Sequence, residues 1–336
     1  MRRFQGEKLQ PGARIALISN DALGNFVVAT PLLQLLRSEL QPSTIDYYGG
    51  VRTWELQAAS DLFDWSYPFH GSAPSELASV ASQRRGYDLV VNIERATPDK
   101  IFAGSLSTEN TFVCGPCGDM PGHDIEFPDD AQGQLWMDRD WTAEDFVSRH
   151  PVLASGFISE VFCRSCYLEG PIPPYKVPCE EPRRSIPQVL ISTAGSTPDK
   201  LWPVACWLEM LRFFADRKLD VGLLGANPIQ QQHYWKGSEA EDELVASDLV
   251  KDLRGKLTLP EVVGAIRLAD LVLTLDNGVL HLAAAVGKKT VGIYRRGVRG
   301  LWAPRVDSLT VIEPDSGAAV SGIPVDVVRE AVSRAL

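Results

Sequence analysis

Three short stretches carry residue types that could do chemistry together. The first is Asp276-Asn277-Gly278, with His281 three residues on, where the apolar run 271–275 meets the helical pattern NGVLHLAAAVG. Backbone N–H groups at a helix start are unpaired and carry the positive end of the dipole. The junction is therefore a ready anion site, suited to a diphosphate. Gly278 lets an anion approach without a Cβ in the way, and His281, about one turn on, can donate to a phosphate oxygen. The same residues also read as an N-cap, Asp276, and a core histidine, His281. The second stretch is STAGSTPDKLWP (192–203). A strand ends, Ser196 and Thr197 offer N–H and hydroxyl donors, and Lys200 adds a compact positive charge. That set suits a departing diphosphate; its plainer reading is a solvated lysine before an ordinary helix. The third is Arg295, Arg296 and Arg299 in YRRGVRG. They can hold phosphate bidentately or stand as a solvated charge run.

Four of the six cysteines form two C-x2-C pairs, Cys114/Cys117 and Cys163/Cys166. This is the spacing of half a zinc site. The pairs are candidates for one shared structural metal, beside the alternatives of unlinked thiols or redox chemistry. Six scattered cysteines do not make a disulfide framework.

These groups must be positioned by a chain of 336 residues, a length that suits about two domains. It is 45% hydrophobic and 23% charged, the balance of a globular protein. No apolar run approaches a membrane span of ~20 residues. The start, MRRFQGEKLQPG, has no apolar region behind its arginines, so no secretory signal is read and the expected location is cytoplasmic. The net charge is −10, of which −9 falls on residues 1–168. No concentrated basic face suggests nucleic acid. An acidic half fits a solubilising surface or a neutral or cationic ligand.

Apolar runs alternate with helical patterns. RIALIS (14–19), TIDYY (44–48) and YDLVVNI (87–93) read as strands, with helices in FVVATPLLQLLRSEL and SELASVASQRR. Residues 115–140 read as an irregular loop and 142–168 as helical. Six prolines in 169–187 read as an interdomain linker. A second series follows: QVLIST (188–193), DVGLLG (220–225), LVLTL (271–275) and TVGIY (290–294) as strands between helices, then a terminal amphipathic helix. This is the βαβ rhythm of parallel, doubly wound sheets, which bind ligands beyond their strand carboxyl ends.

The sequence D-N-G-x-x-H-L-A-A-A after A-D-L-V-L-T resembles the C-terminal signature of glycosyltransferase family 9, the heptosyltransferase family of the GT-B fold. Asp276, Gly278 and His281 fall on its D-x-G-x-x-H pattern. DLRGKLTL (252–259) is similar to the family's D-L-T-G-x-T-S-L, with Arg254 in place of threonine. Ser196, Thr197, Lys200, Trp202 and Pro203 occupy the places of its upstream loop, lysine and Trp-Pro. In SNDALGNFVVATPLLQLLR (19–37), Gly24, Thr30 and Pro31 match its N-terminal pattern. The family's aspartate, by resemblance the general base, is Asn25 here, and an amide does not accept a proton at neutral pH. Three readings follow. Asp21 or Glu94 serves instead; Asn25 only orients the acceptor while the leaving group drives the reaction; or the protein is inactive. In LLGANP, Asn227 lies near the family's ribose-binding glutamate and can still hydrogen-bond a hydroxyl.

The resemblance implies an α/β fold of two Rossmann-like doubly wound domains in a GT-B arrangement with an interdomain cleft. Residues 1–168 would form the acceptor side and 188–336 the nucleotide-sugar side, with the last helix long enough to cross back. The implied activity is inverting transfer of a sugar, a heptose from ADP-heptose, to an acceptor hydroxyl or amine. The donor is a co-substrate and no cofactor is expected. Lys200, Ser196, Thr197 and the 277–278 helix start would stabilise the diphosphate, and Gly24, Asn227 and Arg295 would join the donor site. Without a DxD-type motif, metal-independent turnover is expected. The acidic first half favours a soluble neutral or cationic acceptor. The rivals are an inactive nucleotide-sugar-binding scaffold and a GT-B-like nucleotide-sugar epimerase. Neither half has the G-x-G-x-x-G of a dehydrogenase after its first strand.

Overall fold

The computed structural model describes residues 1–228 and 238–336. The chain divides into two compact units, Met1–Lys176 and Val177–Leu336, and the border falls within the proline-rich stretch.

In the first unit, the described residues form a six-stranded parallel sheet. Its strands are β1 (Arg2–Arg3), β2 (Arg14–Ile18), β3 (Thr44–Gly50), β4 (Trp65–His70), β5 (Leu89–Asn92) and β6 (Phe112–Cys114), in the order β1-β6-β5-β2-β3-β4. β2 and β5 are apolar almost throughout because both faces of a parallel sheet are covered. The chain winds from β2 out through β3 to β4, then returns to the other side of β2. The loops after β2 and β5 therefore part at the switch point, where such sheets take ligands. β1, β4 and β6 escape the sequence pattern. β1 has two residues, β6 has three, and β4 is half-exposed and contains Pro68. The stretch read as irregular holds the helix Ala131–Met137, started by the Asp130 carboxylate accepting from Gly133 N–H. Over 142–168 the helical pattern resolves into two short helices, Phe146–Arg149 and Ile158–Ser165.

The second unit repeats the architecture. Its strands are β7 (Val189–Ser192), β8 (Val221–Leu223), β9 (Lys251–Asp252), β10 (Leu271–Leu275), β11 (Thr290–Ile293) and β12 (Leu309–Ile312). The order is β12-β11-β10-β7-β8-β9, all parallel, with the switch point between β7 and β10. The helix Val204–Asp216 buries Trp207, Met210, Leu211, Phe213 and Phe214 on this sheet. Each such side chain contributes roughly 1.5–3 kcal/mol. The last helix, Val325–Ala335, puts Val328, Ala331 and Val332 into the same core. It packs within its own unit, where the sequence left it free to cross. Among the described residues no helix is long and apolar enough to cross a membrane.

Arg254, the departure within DLRGKLTL, has a structural cause. Its guanidinium is 4% exposed and lies 2.8 Å from Asp242, 3.0 Å from Asp252 and 3.6 Å from the fully buried Glu241. Glu241 also accepts from the Thr193 hydroxyl at 2.9 Å, so this network steadies the loop after β7. Truncating one partner of a buried ion pair leaves the other charge uncompensated. Arg254→Ala is expected to destabilise the protein by about 3 kcal/mol, read as a lower denaturant midpoint in equilibrium unfolding.

Candidate active site

In the second unit the site is built from the two loops that part at the switch point. Asn277 joins them. Its carboxamide oxygen accepts from Val279 N–H at 3.0 Å, capping the helix Gly278–Ala285. Its Nδ2 donates to Ser192 Oγ at 3.1 Å and Ala194 O at 3.0 Å in the loop after β7. The cap is therefore Asn277, and Asp276 is released for another task. Lys200 Nζ donates to Asp276 Oδ2 at 2.9 Å and to its carbonyl at 3.2 Å. The pair is largely buried, with side chains 17% and 7% exposed. The lysine is thus held across the gap, beside the start of the helix, where Asn277 accepts from both Val279 N–H and Leu280 N–H. Trp202 fixes the far end of this loop: it is buried, donates from Nε1 to Ile323 O at 2.9 Å and packs edge-on against Trp207.

Ser196 and Thr197 stand exposed on the same loop. Arg295 reaches it from beyond β11, with Nη1 2.7 Å from Asp199 Oδ2. Asp199 was not singled out in the sequence; the Thr197 hydroxyl and then Arg295 hold its carboxyl below the usual range. Arg296 donates weakly to Pro314 O at 3.4 Å, and Arg299 opens the short helix Arg299–Trp302. Of the three arginines, only Arg295 is tied to the lysine loop. Asn227 is exposed beyond β8. Gly255, at φ +60°, packs against it so closely that a Cβ would lie 2.8 Å from Asn227 Cα. His281 is buried at 3% exposure near both Asp276 and Lys200. Burial, opposed by Asp276 and aided by Lys200, holds its imidazole down to about 4. It is therefore a neutral hydrogen-bonding group at pH 7 and adds no charge for an anion.

In the first unit, Asp21 and Glu94 also meet at the switch point. Glu94 Oε1 accepts from Asn20 N–H at 3.0 Å, and the Asn20 carboxamide accepts from Ala22 N–H at 2.8 Å. One hydrogen-bonded path thus links the loops after β5 and β2. Burial, only partly offset by Asn20, pushes the Glu94 carboxyl up. Asp21 is ion-paired with Arg52 and packs on Gly50, where an added Cβ would come 1.7 Å from Asp21 Cβ. Gly24 and Asn25 occupy the first turn of the helix Leu23–Leu40 and are partly buried. Sequence reading missed Arg52 and, beside these carboxylates, the half-buried His70 paired with the buried Asp99.

The cysteine pairs do approach one another. The Cys166 thiol is hydrogen-bonded with Cys114 and near Cys163, and that contact and burial push it up. They do not form the candidate metal site. Cys114 Sγ donates to Ser165 O at 3.4 Å, Cys117 Sγ lies 3.8 Å from Met1 Sδ, and none of the six cysteines is in a disulfide. Among the described residues no group of three or more His, Cys, Asp or Glu is placed to hold a metal ion.

Comparison with known proteins bears on this arrangement. Residues 177–320 match the model of glycosyltransferase family 9 (heptosyltransferase). The family 9 glycosyltransferase from Veillonella parvula is similar over 98% of this chain and 99% of its own, with 14% identity and a TM-score of 0.71. Escherichia coli ADP-heptose lipopolysaccharide heptosyltransferase II is similar over 96% and 98%, with 16% identity and a TM-score of 0.68. E. coli heptosyltransferase WaaC with ADP is similar over 96% and 100%, with 16% identity and a TM-score of 0.67. No curated protein matches the sequence. At these identities the structures establish the fold, that of the GT-B glycosyltransferases, and the family model establishes the kinship of the second unit. The match to glycosyltransferase family 9 thus covers most of the second unit, and the likeness over the whole chain is one of fold.

The buried neutral His281 sets a pH dependence. The unfolded chain binds a proton at this residue near pH 6.5, whereas the folded chain does so only near 4. The unfolded state therefore holds more protons between these values, and stability falls as pH drops through that window. The full effect is roughly 3 kcal/mol. His281→Gln should flatten the loss, as measured by denaturant unfolding at pH values spanning the window.

Proposed function

We propose that this glycosyltransferase is an inverting enzyme that uses a nucleoside-diphosphate sugar, with ADP-heptose the first donor to test. The observation that carries the reading is Lys200, held over the gap by Asp276 beside the positive end of the helix Gly278–Ala285. An acceptor hydroxyl or amine attacks the anomeric carbon and the diphosphate leaves with the bonding pair. Lys200, Ser196, Thr197 and the helix dipole at Gly278 offset its developing charge, with Arg295 next to them and Asn227 on the ribose. These fixed groups supply the positive charge that a divalent ion would otherwise bring. The likeness to a heptosyltransferase structure containing ADP supports the choice of nucleotide. The acceptor side is the carboxyl edge of the first sheet, where Asp21, Asn25 and Glu94 bind and orient the nucleophile.

The acidic balance of the first unit favours a neutral or cationic acceptor, taken from solution in the cytoplasm. A hollow lined by Arg95, Arg139 and Lys100, the last ion-paired with Asp124, together with Phe127 and Trp136, favours a second reading, an acceptor with an anionic group. Competing neutral, amine-bearing and carboxylate-bearing sugars in one transfer assay decides between them.

Calorimetry with ADP, GDP, UDP and TDP should show a preference for ADP. Lys200→Ala should weaken ADP by about 10- to 100-fold, the range of a charge-assisted hydrogen bond. Turnover should survive a chelator; loss with recovery on adding magnesium would overturn the charge assignment. ADP binding without turnover would favour the scaffold, and an isomerised sugar released without acceptor would favour the epimerase.

A further inference from the structure

Asn25 leaves the acceptor without the base that family resemblance places there, and the same sheet edge offers another. His70 ends β4, and its Nε2 lies 2.9 Å from Asp99 Oδ1. Asp99 sits in the first turn of the helix Thr97–Leu106 and is 1% exposed, while the His70 side chain is 29% exposed. A buried carboxylate bound to one ring nitrogen fixes the tautomer. With Nε2–H donating to Asp99, the lone pair is on Nδ1. The backbone around the ring is built for this position. The register between β3 and β4 shifts between Tyr48 and Gly50, so that Gly50 pairs with His70. Such irregularities re-aim side chains near sites. Gly71 follows at φ +116°, packed on Val51 so that a Cβ would lie 2.7 Å from its Cγ1. Gly50 is also the residue on which Asp21 rests.

We infer that His70, oriented by Asp99, takes the proton from the acceptor's attacking hydroxyl or amine. The inference rests on the glycosyltransferase reading above. In the step, the acceptor O–H or N–H proton passes to Nδ1 as the heteroatom bonds to the anomeric carbon. The bond from that carbon to the diphosphate oxygen breaks, and its electron pair leaves on the diphosphate. The imidazolium formed is stabilised by the Asp99 carboxylate. Asp21, paired with Arg52, and Glu94 are the other charged groups acting on the ring. Burial disfavours the imidazolium, but the hydrogen bond and charge of Asp99, with the charges of Asp21 and Glu94, outweigh it and raise the pKa above its ordinary value. The base must be unprotonated, so activity should fall as pH drops through a limb centred above about 6.5, the ordinary histidine value.

The test uses the full chain and water as acceptor, with release of nucleoside diphosphate from ADP-heptose and from GDP-, UDP- and TDP-sugars as the signal. His70→Ala removes the base. His70→Gln keeps a donor for Asp99 but cannot accept the proton. Both should lose about 100-fold or more of the water reaction. Azide, an anion that needs no base, should restore most of the loss by forming the glycosyl azide. Asp99→Asn should move the acidic limb to lower pH, a shift that a merely structural role does not produce. A His70→Gln rate and pH profile equal to wild type would overturn the inference. So would loss that azide does not repair, or a Glu94→Gln variant that alone shows loss with azide rescue. A wild type that binds ADP yet releases no diphosphate from any of these sugars, whether water or a neutral, amine-bearing or carboxylate-bearing sugar is the acceptor, would instead overturn the glycosyltransferase reading beneath it.

Discussion

A parallel sheet wound outward in both directions from one strand leaves two neighbouring loops with nothing to hold them together. Backbone pairing stops where the strands end, so side chains must tie the gap. In the second unit the Asn277 carboxamide does so, satisfying a helix-start N–H with its oxygen and the opposite loop with its nitrogen. Because Asn277 takes the cap, Asp276 can reach Lys200. Because Lys200 is held at both the carboxylate and carbonyl of Asp276, its charge stays at the helix start. In the first unit the Asn20–Glu94 hydrogen bond is the corresponding tie. Each candidate site is thus a consequence of strand order.

Burial sets the character of these groups. The Lys200–Asp276 pair is partly desolvated, so its attraction is less screened than that of a surface pair. A lysine already placed in this way has little side-chain entropy left to lose on meeting an anion. His281 lies behind the pair and stays neutral. A second buried cation there would repel Lys200 and add to the desolvation cost. The site therefore combines one positive side chain with backbone dipoles, whose orientation the helix fixes in advance.

Strands were legible where burial on both faces makes the sequence nearly continuously apolar, as in β2, β5, β7 and β10. They were illegible where the sheet thins to an edge: β1 and β9 have two residues each, and β4 and β12 are largely only half-buried. The candidate-site residues of the second unit were legible because loop, lysine and helix start lie in two compact segments of recognisable spacing. Asp199 was passed over because its role depends on Arg295, 96 residues away. His70 and Asp99 are 29 residues apart on different elements, and nothing in a linear pattern pairs them. The two C-x2-C spacings were visible, but spacing alone could not show that Cys114 would spend its thiol on a backbone carbonyl.

Two departures from the family pattern can be compared on physical grounds. At Arg254 the exchange brings a buried cation, and the fold supplies Glu241, Asp242 and Asp252 around it. That substitution is balanced by its own neighbours. At Asn25 the exchange removes a charge, so no counter-ion is required. What it removes is a proton acceptor at the carboxyl edge of the first sheet. A replacement must sit on the same edge, keep a lone pair at neutral pH and be stabilised once protonated. Asp21 has the position, but its carboxylate is already engaged by Arg52. Glu94 has the position and a carboxyl raised by burial, but one oxygen is occupied by the Asn20 N–H that ties the loops. His70 has the position, a second nitrogen left over from its bond to Asp99, and a buried carboxylate to receive the charge. Of the three, it alone can change protonation without breaking a contact that the fold depends on.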